Sequence, residues 1–121
     1  MSLRTVLADT ALPLVAARPA GTYASGPIAN PGAISNAVAW VYVSAVGGGG
    51  THLLDVTFQT SPDNSTWTSV TGGGITQMSA VGSAVCYAGI ADMYVQVLAT
   101  VSGTSAPTVT FKVDVMVIPG S

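Results

Sequence analysis

The amino-acid sequence predicts an all-β fold, an antiparallel β-sandwich of jelly-roll or Ig-like type with an extended N-terminal arm. Three observations carry this expectation. Apolar and polar residues alternate with period two in several short runs. Clusters of glycine, proline, serine and asparagine separate those runs. No stretch places apolar residues at the i, i+3, i+4, i+7 spacing of an amphipathic helix. At 121 residues the chain has the size of one domain.

The elements follow in order. Residues 1–36 hold Pro13, Pro19, Pro27 and Pro31. Proline fixes its own φ and biases its predecessor towards extended geometry, so this part is expected to be an arm with short strands at most. Residues 37–121 form the sandwich. In 37–46, Ala39, Val41, Val43 and Ala45 share one face and Trp40, Tyr42 and Ser44 the other. Gly47 to Gly50 suit a hairpin connection. Leu54, Val56 and Phe58 then alternate with Asp55, Thr57 and Gln59. Ser61-Pro62-Asp63-Asn64 reads as a turn, because proline presets φ and Asp and Asn bond their own backbone. A short strand from Trp67 to Val70 ends at Gly72-Gly73-Gly74, and weaker strand patterns cover 75–80 and 84–88. In 93–101, Met93, Val95, Val97, Ala99 and Val101 oppose Tyr94, Gln96, Leu98 and Thr100. After a loop at 102–107, the last strand turns Val109, Phe111, Val113, Val115 and Val117 inward and Thr110, Lys112 and Asp114 outward.

Composition excludes several function classes. Charged residues are 7% of the chain, with no glutamate, and the net charge is −2. Nucleic-acid binding needs a basic patch that three cations cannot supply. The uncharged stretches are all broken by polar residues, glycine or proline, so no membrane-spanning helix and no membrane partner are expected. Asp9, Pro13 and Arg18 interrupt the apolar N-terminal run where a secretory signal would need continuity and small residues. The single cysteine, Cys86, cannot form an internal disulfide.

The supply of catalytic groups is thin. His52 is the only histidine, and a lone loop histidine reads as an exposed polar residue rather than a general base. Cys86 lies among small apolar residues and reads as core filler, not as an activated thiolate. Zinc needs clustered Cys and His, whereas Asp63-Asn64-Ser65 lacks the spacing of an EF-hand loop and reads as a turn. No enzyme activity, no metal and no cofactor are expected. Trp40, Tyr42, Trp67, Tyr87 and Tyr94 offer one binding alternative, a sugar-stacking platform, against the plainer expectation that they fill the core or a subunit interface.

The segment from Leu54 through Ser61-Pro62-Asp63-Asn64 to Trp67 and Val70 resembles a pattern in small structural proteins of tailed bacteriophages, where a strand ending in S-P-D-G precedes a spacer, Trp and a second strand. Tyr94-Val95-Gln96-Val97, Ser102-Gly103-Thr104 and Val109-Thr110-Phe111 resemble the strand pair of those proteins that flanks an S-G-T loop. Asn64 stands where glycine is usual, and asparagine also accepts left-handed geometry. The resemblance covers about residues 37–118 and implies a β-sandwich head-decoration, or cement, protein. Its partners would be the major capsid protein and copies of itself, as a trimer, at the capsid surface of a virion assembled in the host cytoplasm. A neck or tail structural protein is the near alternative, and a discoidin-like carbohydrate-binding sandwich using Trp67 is the distant one. The apolar arm needs a surface to cover, so Arg4, Leu7, Leu12, Leu14, Arg18 and Tyr23 are the candidate contacts to a neighbouring subunit.

Overall fold

Alternating strands can bury one face each only by stacking in layers, and here two sheets face one another. The computed structural model describes residues 7–29, 35–75 and 77–119; of residues 7–16, 35, 71 and 119 it describes the backbone alone. In chain order the strands are β1 (Leu7–Pro19), β2 (Gly21–Ala24), β3 (Ile28–Ala29), β4 (Ser35–Gly47), β5 (His52–Ser61), β6 (Thr68–Gly74), β7 (Gly82–Ile90), β8 (Tyr94–Gly103) and β9 (Thr108–Pro119). One sheet runs β1-β9-β4-β7 and the other β2-β8-β5-β6, with β3 also paired to β8. All pairings are antiparallel. Every connection except β2–β3 and β5–β6 passes from one sheet to the other.

The core lies between the layers and follows the alternation closely. Val109, Phe111, Val113, Val115 and Val117 of β9 are buried, and so are Leu54, Val56 and Phe58 of β5. Val95, Val97, Ala99 and Val101 of β8 complete the facing layer, while Met93 precedes the strand and is exposed. Each such valine, leucine or phenylalanine side chain contributes about 1.5–3 kcal/mol when fully buried. Cys86 sits in the same core cluster.

Four expectations are corrected. Ala45 is exposed and Val46 packs against the core instead. A register shift between Val43 and Ala45 inserts Ser44 as an extra residue, and one extra residue reverses the faces that follow it. The glycine run after β4 makes no hairpin, because β4 and β5 belong to different sheets. It crosses over beside the β8–β9 loop, where Gly49 N–H donates to the Ser105 carbonyl at 3.2 Å. Of the described residues in 75–80, only Met78 forms a bridge, to Leu54, and the weak pattern at 84–88 is the middle of the longer β7.

The fourth correction concerns the arm. Residues 7–19 are not separate from the sandwich: β1 pairs with β9 from Leu7↔Val117 to Pro19↔Thr108. Proline in an edge strand loses no ladder bond on its solvent side, and register shifts take up the misfit around Pro13 and before Arg18. Within the last shift Ala17 takes a left-handed φ of 52°, and its N–H donates to Thr110 Oγ1 at 2.8 Å. β2 and β3 then line the edge of β8.

Crossing between layers in few residues requires close backbone approach. A Cβ on Gly48, whose φ is 108°, would stand 2.8 Å from the Ala106 carbonyl oxygen. A Cβ on Gly50 would meet the Thr104 hydroxyl and carbonyl. The opposing loop is itself tight, with Ser105 and Ala106 both left-handed at φ 59° and 54°. Gly48→Ala is therefore expected to lower stability by about 1–3 kcal/mol, measured by denaturant unfolding. Gly49→Ala, whose Cβ would make only an ordinary 3.6 Å contact, should cost clearly less. Equal losses would contradict this account of the crossover.

Candidate interaction surface

The two outer faces of the sandwich differ in chemistry. On the β2-β8-β5-β6 sheet the outward side mixes polar residues with the half-buried Leu53, Leu98 and Tyr94: the buried Gln96 donates to Gln59 at 2.9 Å across the β5–β8 pair, and Gln77 donates to Asp55 at 2.9 Å. On the other sheet, register fixes the outward rows across β9, β4 and β7, three of which carry its exposed aromatic side chains. These rows are Lys112–Tyr42–Ser83, Asp114–Trp40–Val85 and Met116–Val38–Tyr87. Trp40 and Tyr42 are each 45% exposed, Val85 40% and Tyr87 63%. These side chains line a shallow groove over β4 and β7. The charges beside them are engaged with each other, since Lys112 Nζ lies 3.3 Å from Asp114 Oδ2.

Filling of the core by Trp40, Tyr42 and Tyr87 is thus corrected. Their strands do bury one face, but through Ala37, Ala39, Val41 and Val43 on β4 and Cys86, Ala88 and Ile90 on β7. Small residues inside and large aromatic ones outside reverse the usual arrangement, in which the large side chains supply the core. Trp67 lies apart from the other three, between β5 and β6 of the opposite sheet, and is half-buried. Tyr94 opens β8 in that same sheet.

The arm residues are placed as follows. The Arg18 guanidinium lies 4.9 Å from the Tyr23 ring centre and 5.1 Å from that of Phe111. Tyr23 and Phe111 meet edge to face at 6.2 Å, and the Tyr23 hydroxyl donates to the Pro19 carbonyl. Arg18 and Tyr23 therefore pack on their own sandwich. Leu7, Leu12 and Leu14 lie on β1, their side chains outside the described part, and Arg4 lies outside the described residues.

The candidate chemical groups do not assemble. His52 opens β5, and its Nδ1 is buried without a hydrogen-bond partner among the described residues. A general base needs a group that orients its ring, and this nitrogen has none. Burial pushes the Cys86 thiol up, away from thiolate character. No group of three or more His, Cys, Asp or Glu stands close enough to hold a metal ion among the described residues. Nor is any helix among them long and apolar enough to cross a membrane.

Neither known protein families nor curated protein sequences give a match to this chain. Among solved structures, the fold is similar to that in the crystal structure of PBSX exported protein XepA, with TM-score 0.66 and 16% identity over 95% of this chain and 37% of that one. It is also similar to that in a structure of infectious bursal disease virus, Gx strain, with TM-score 0.62 and 10% identity over 98% of this chain and 33% of that one. The chain thus spans about a third of either, and what it shares with them is the β-sandwich fold.

Asp63 belongs to a turn, as the sequence predicts. Its Oδ1 accepts the Ser65 and Thr66 N–H groups, each at 2.9 Å, and the Ser61 hydroxyl at 3.1 Å, while Asn64 takes a left-handed φ of 60°. The Thr66 and Ser65 N–H groups, then the Ser61 hydroxyl, hold the Asp63 carboxyl below its ordinary value. Since the folded pKa is the lower one, the turn's contribution to stability is present above the unfolded pKa and lost as pH falls through the folded one. An NMR titration of the Asp63 carboxyl should give a midpoint below 3.8. A midpoint at or above that value would show that the bonds are not made in solution.

Proposed function

We propose that this chain is a non-enzymatic virion structural protein, a capsid decoration protein that docks on the major capsid protein through the outer face of β9, β4 and β7. The observation that carries the reading is the patch of exposed Trp40, Tyr42 and Tyr87 on one sheet, with Val38, Val85 and Met116 beside them. Contiguous apolar surface of this kind marks sites of protein association, and Trp and Tyr are enriched there. On the opposite face the apolar Leu53 and Leu98 are at most half-exposed and stand beside Asp55, Thr57 and Gln59.

The strand order supports the reading at the level of fold. Sheets of order β1-β9-β4-β7 and β2-β8-β5-β6 wind as a jelly roll, an architecture used by viral capsid domains. Lectin domains use it too, so the face rather than the fold bears the functional reading. A sugar platform needs polar groups converging beside the stacked rings. Here half of the rings' row neighbours are apolar (Val85, Val38, Met116), and of the polar ones Lys112 and Asp114 pair with one another. Position at the head, rather than at a neck or tail, rests on the resemblance of the hairpin about Ser61-Pro62-Asp63.

Co-sedimentation of the full chain with capsids tests this directly. Wild-type protein should pellet with capsids, whereas Trp40→Ser combined with Tyr42→Ser should bind at least tenfold more weakly, a loss of about 1.4 kcal/mol or more, with an unchanged circular dichroism spectrum. A wild-type chain that ignores capsids and binds a glycan array through the same residues would overturn the reading in favour of a carbohydrate-binding module.

A further inference from the structure

A sheet edge carries unpaired N–H and C=O groups, and proteins usually guard such edges with proline, charge, bulges or short strands. Three of the four edges here are guarded in that way. β1 carries Pro13, Pro19, Asp9 and Arg18 and has three register shifts against β9. β2 and β3 are short and broken apart at Gly26-Pro27. β6 is glycine-rich and shifts register against β5.

β7 is different. It pairs with β4 through nine consecutive positions, Gly82↔Val43 to Ile90↔Ser35, without a shift. Its sequence, GSAVCYAGI, has no charge and no proline, and among the described residues no strand pairs with its other side.

We infer that β7 pairs antiparallel with β7 of a second copy of this chain, joining two four-stranded sheets into one across a two-fold axis. Charge favours a second copy as the occupant. With no charged residue on the strand, self-pairing brings no like charges together, and the nearest carboxylate, Asp92, goes to opposite ends of the two-fold ladder. With the two-fold axis at Cys86, Val85 and Tyr87, both outward and exposed, would each face the other's copy across the new ladder, the kind of cross-strand contact that stabilises sheets.

Area points the same way. At roughly 150–250 Å² for a whole aromatic side chain, the exposed parts of Trp40, Tyr42 and Tyr87 amount to about 300 Å² per chain. A standard interface takes about 800 Å² from each partner, so one face alone is small for stable docking. Pairing through β7 sets two such faces side by side on one continuous sheet. The inference goes beyond the proposed function, and the pairing itself needs no capsid. It also closes after two chains, in place of the trimer that the resemblance implies.

Sedimentation velocity of the full chain, with hydrogen exchange at low and high protein concentration, tests it. The wild type should form a dimer, and protection that rises with concentration should be confined to amides of residues 82–90. Val85→Lys, which sets like charges near the axis, should weaken dimerisation about tenfold with an unchanged melting curve at concentrations where both proteins are monomeric. A monomer at all concentrations, a trimer, or concentration-dependent protection at β1 or β6 instead would overturn it. The exchange result on the wild type decides even where the variant folds poorly. No virion is present, so failure here leaves the capsid reading standing, and an intact dimer that ignores capsids overturns only that reading.

Discussion

Phe58 and Phe111 are fully buried between the two sheets, surrounded by the valines of β4, β8 and β9. Because a strand sends successive side chains to opposite sides, placing Val109, Phe111 and Val113 in that apolar layer leaves no choice for Thr110, Lys112 and Asp114. The same constraint governs β4, whose Ala37, Ala39, Val41 and Val43 face inward and whose Trp40 and Tyr42 must then face out. Aromatic exposure is therefore a consequence of core packing, and it places the largest side chains of the sheet where another molecule can reach them. The one insertion that reverses the alternation, at Ser44, comes after those aromatics and leaves their orientation intact.

How much of this was legible in the sequence depended on whether the determinant was local. Period two identified the inward residues of β5, β8 and β9, since a half-buried strand needs nothing beyond its own pattern to show it. The Asp63 turn was equally local, its acceptor and donors lying within three residues of one another. The glycine run after β4 was misread because a hairpin and a sheet-to-sheet crossover both need backbone freedom, and which forms is decided by partners far along the chain. β1 was misread for a related reason. Its prolines signal poor strand formation locally, yet β9 offers an edge where missing donors point to solvent. Alternation also could not tell whether the face bearing Trp40, Tyr42 and Tyr87 was covered, because pattern groups residues by face and says nothing of what lies above it.

The chemistry of the two faces gives the fold a direction. A chain with 7% charged residues has little electrostatic protection against association, and what it has is unevenly spread. Lys112 and Asp114 stand at one margin of the aromatic face, paired with each other, while β4 and β7 carry no charge at all. The guarded edges lie at β1, at β2 with β3, and at β6. Face and edge thus both favour association on the β4–β7 side of the molecule, and the potential catalytic groups, His52 and Cys86, take no part in it.

The central claim is that the outer face of β9, β4 and β7 is the contact surface in the assembled particle. Hydroxyl-radical footprinting of the chain, free and bound to capsids, measures this most directly because it reads aromatic side chains one by one. The account predicts that Trp40, Tyr42 and Tyr87 lose reactivity on binding while Trp67, on the other sheet, keeps it. Protection of Trp67 with unchanged reactivity at Trp40, Tyr42 and Tyr87 would contradict it.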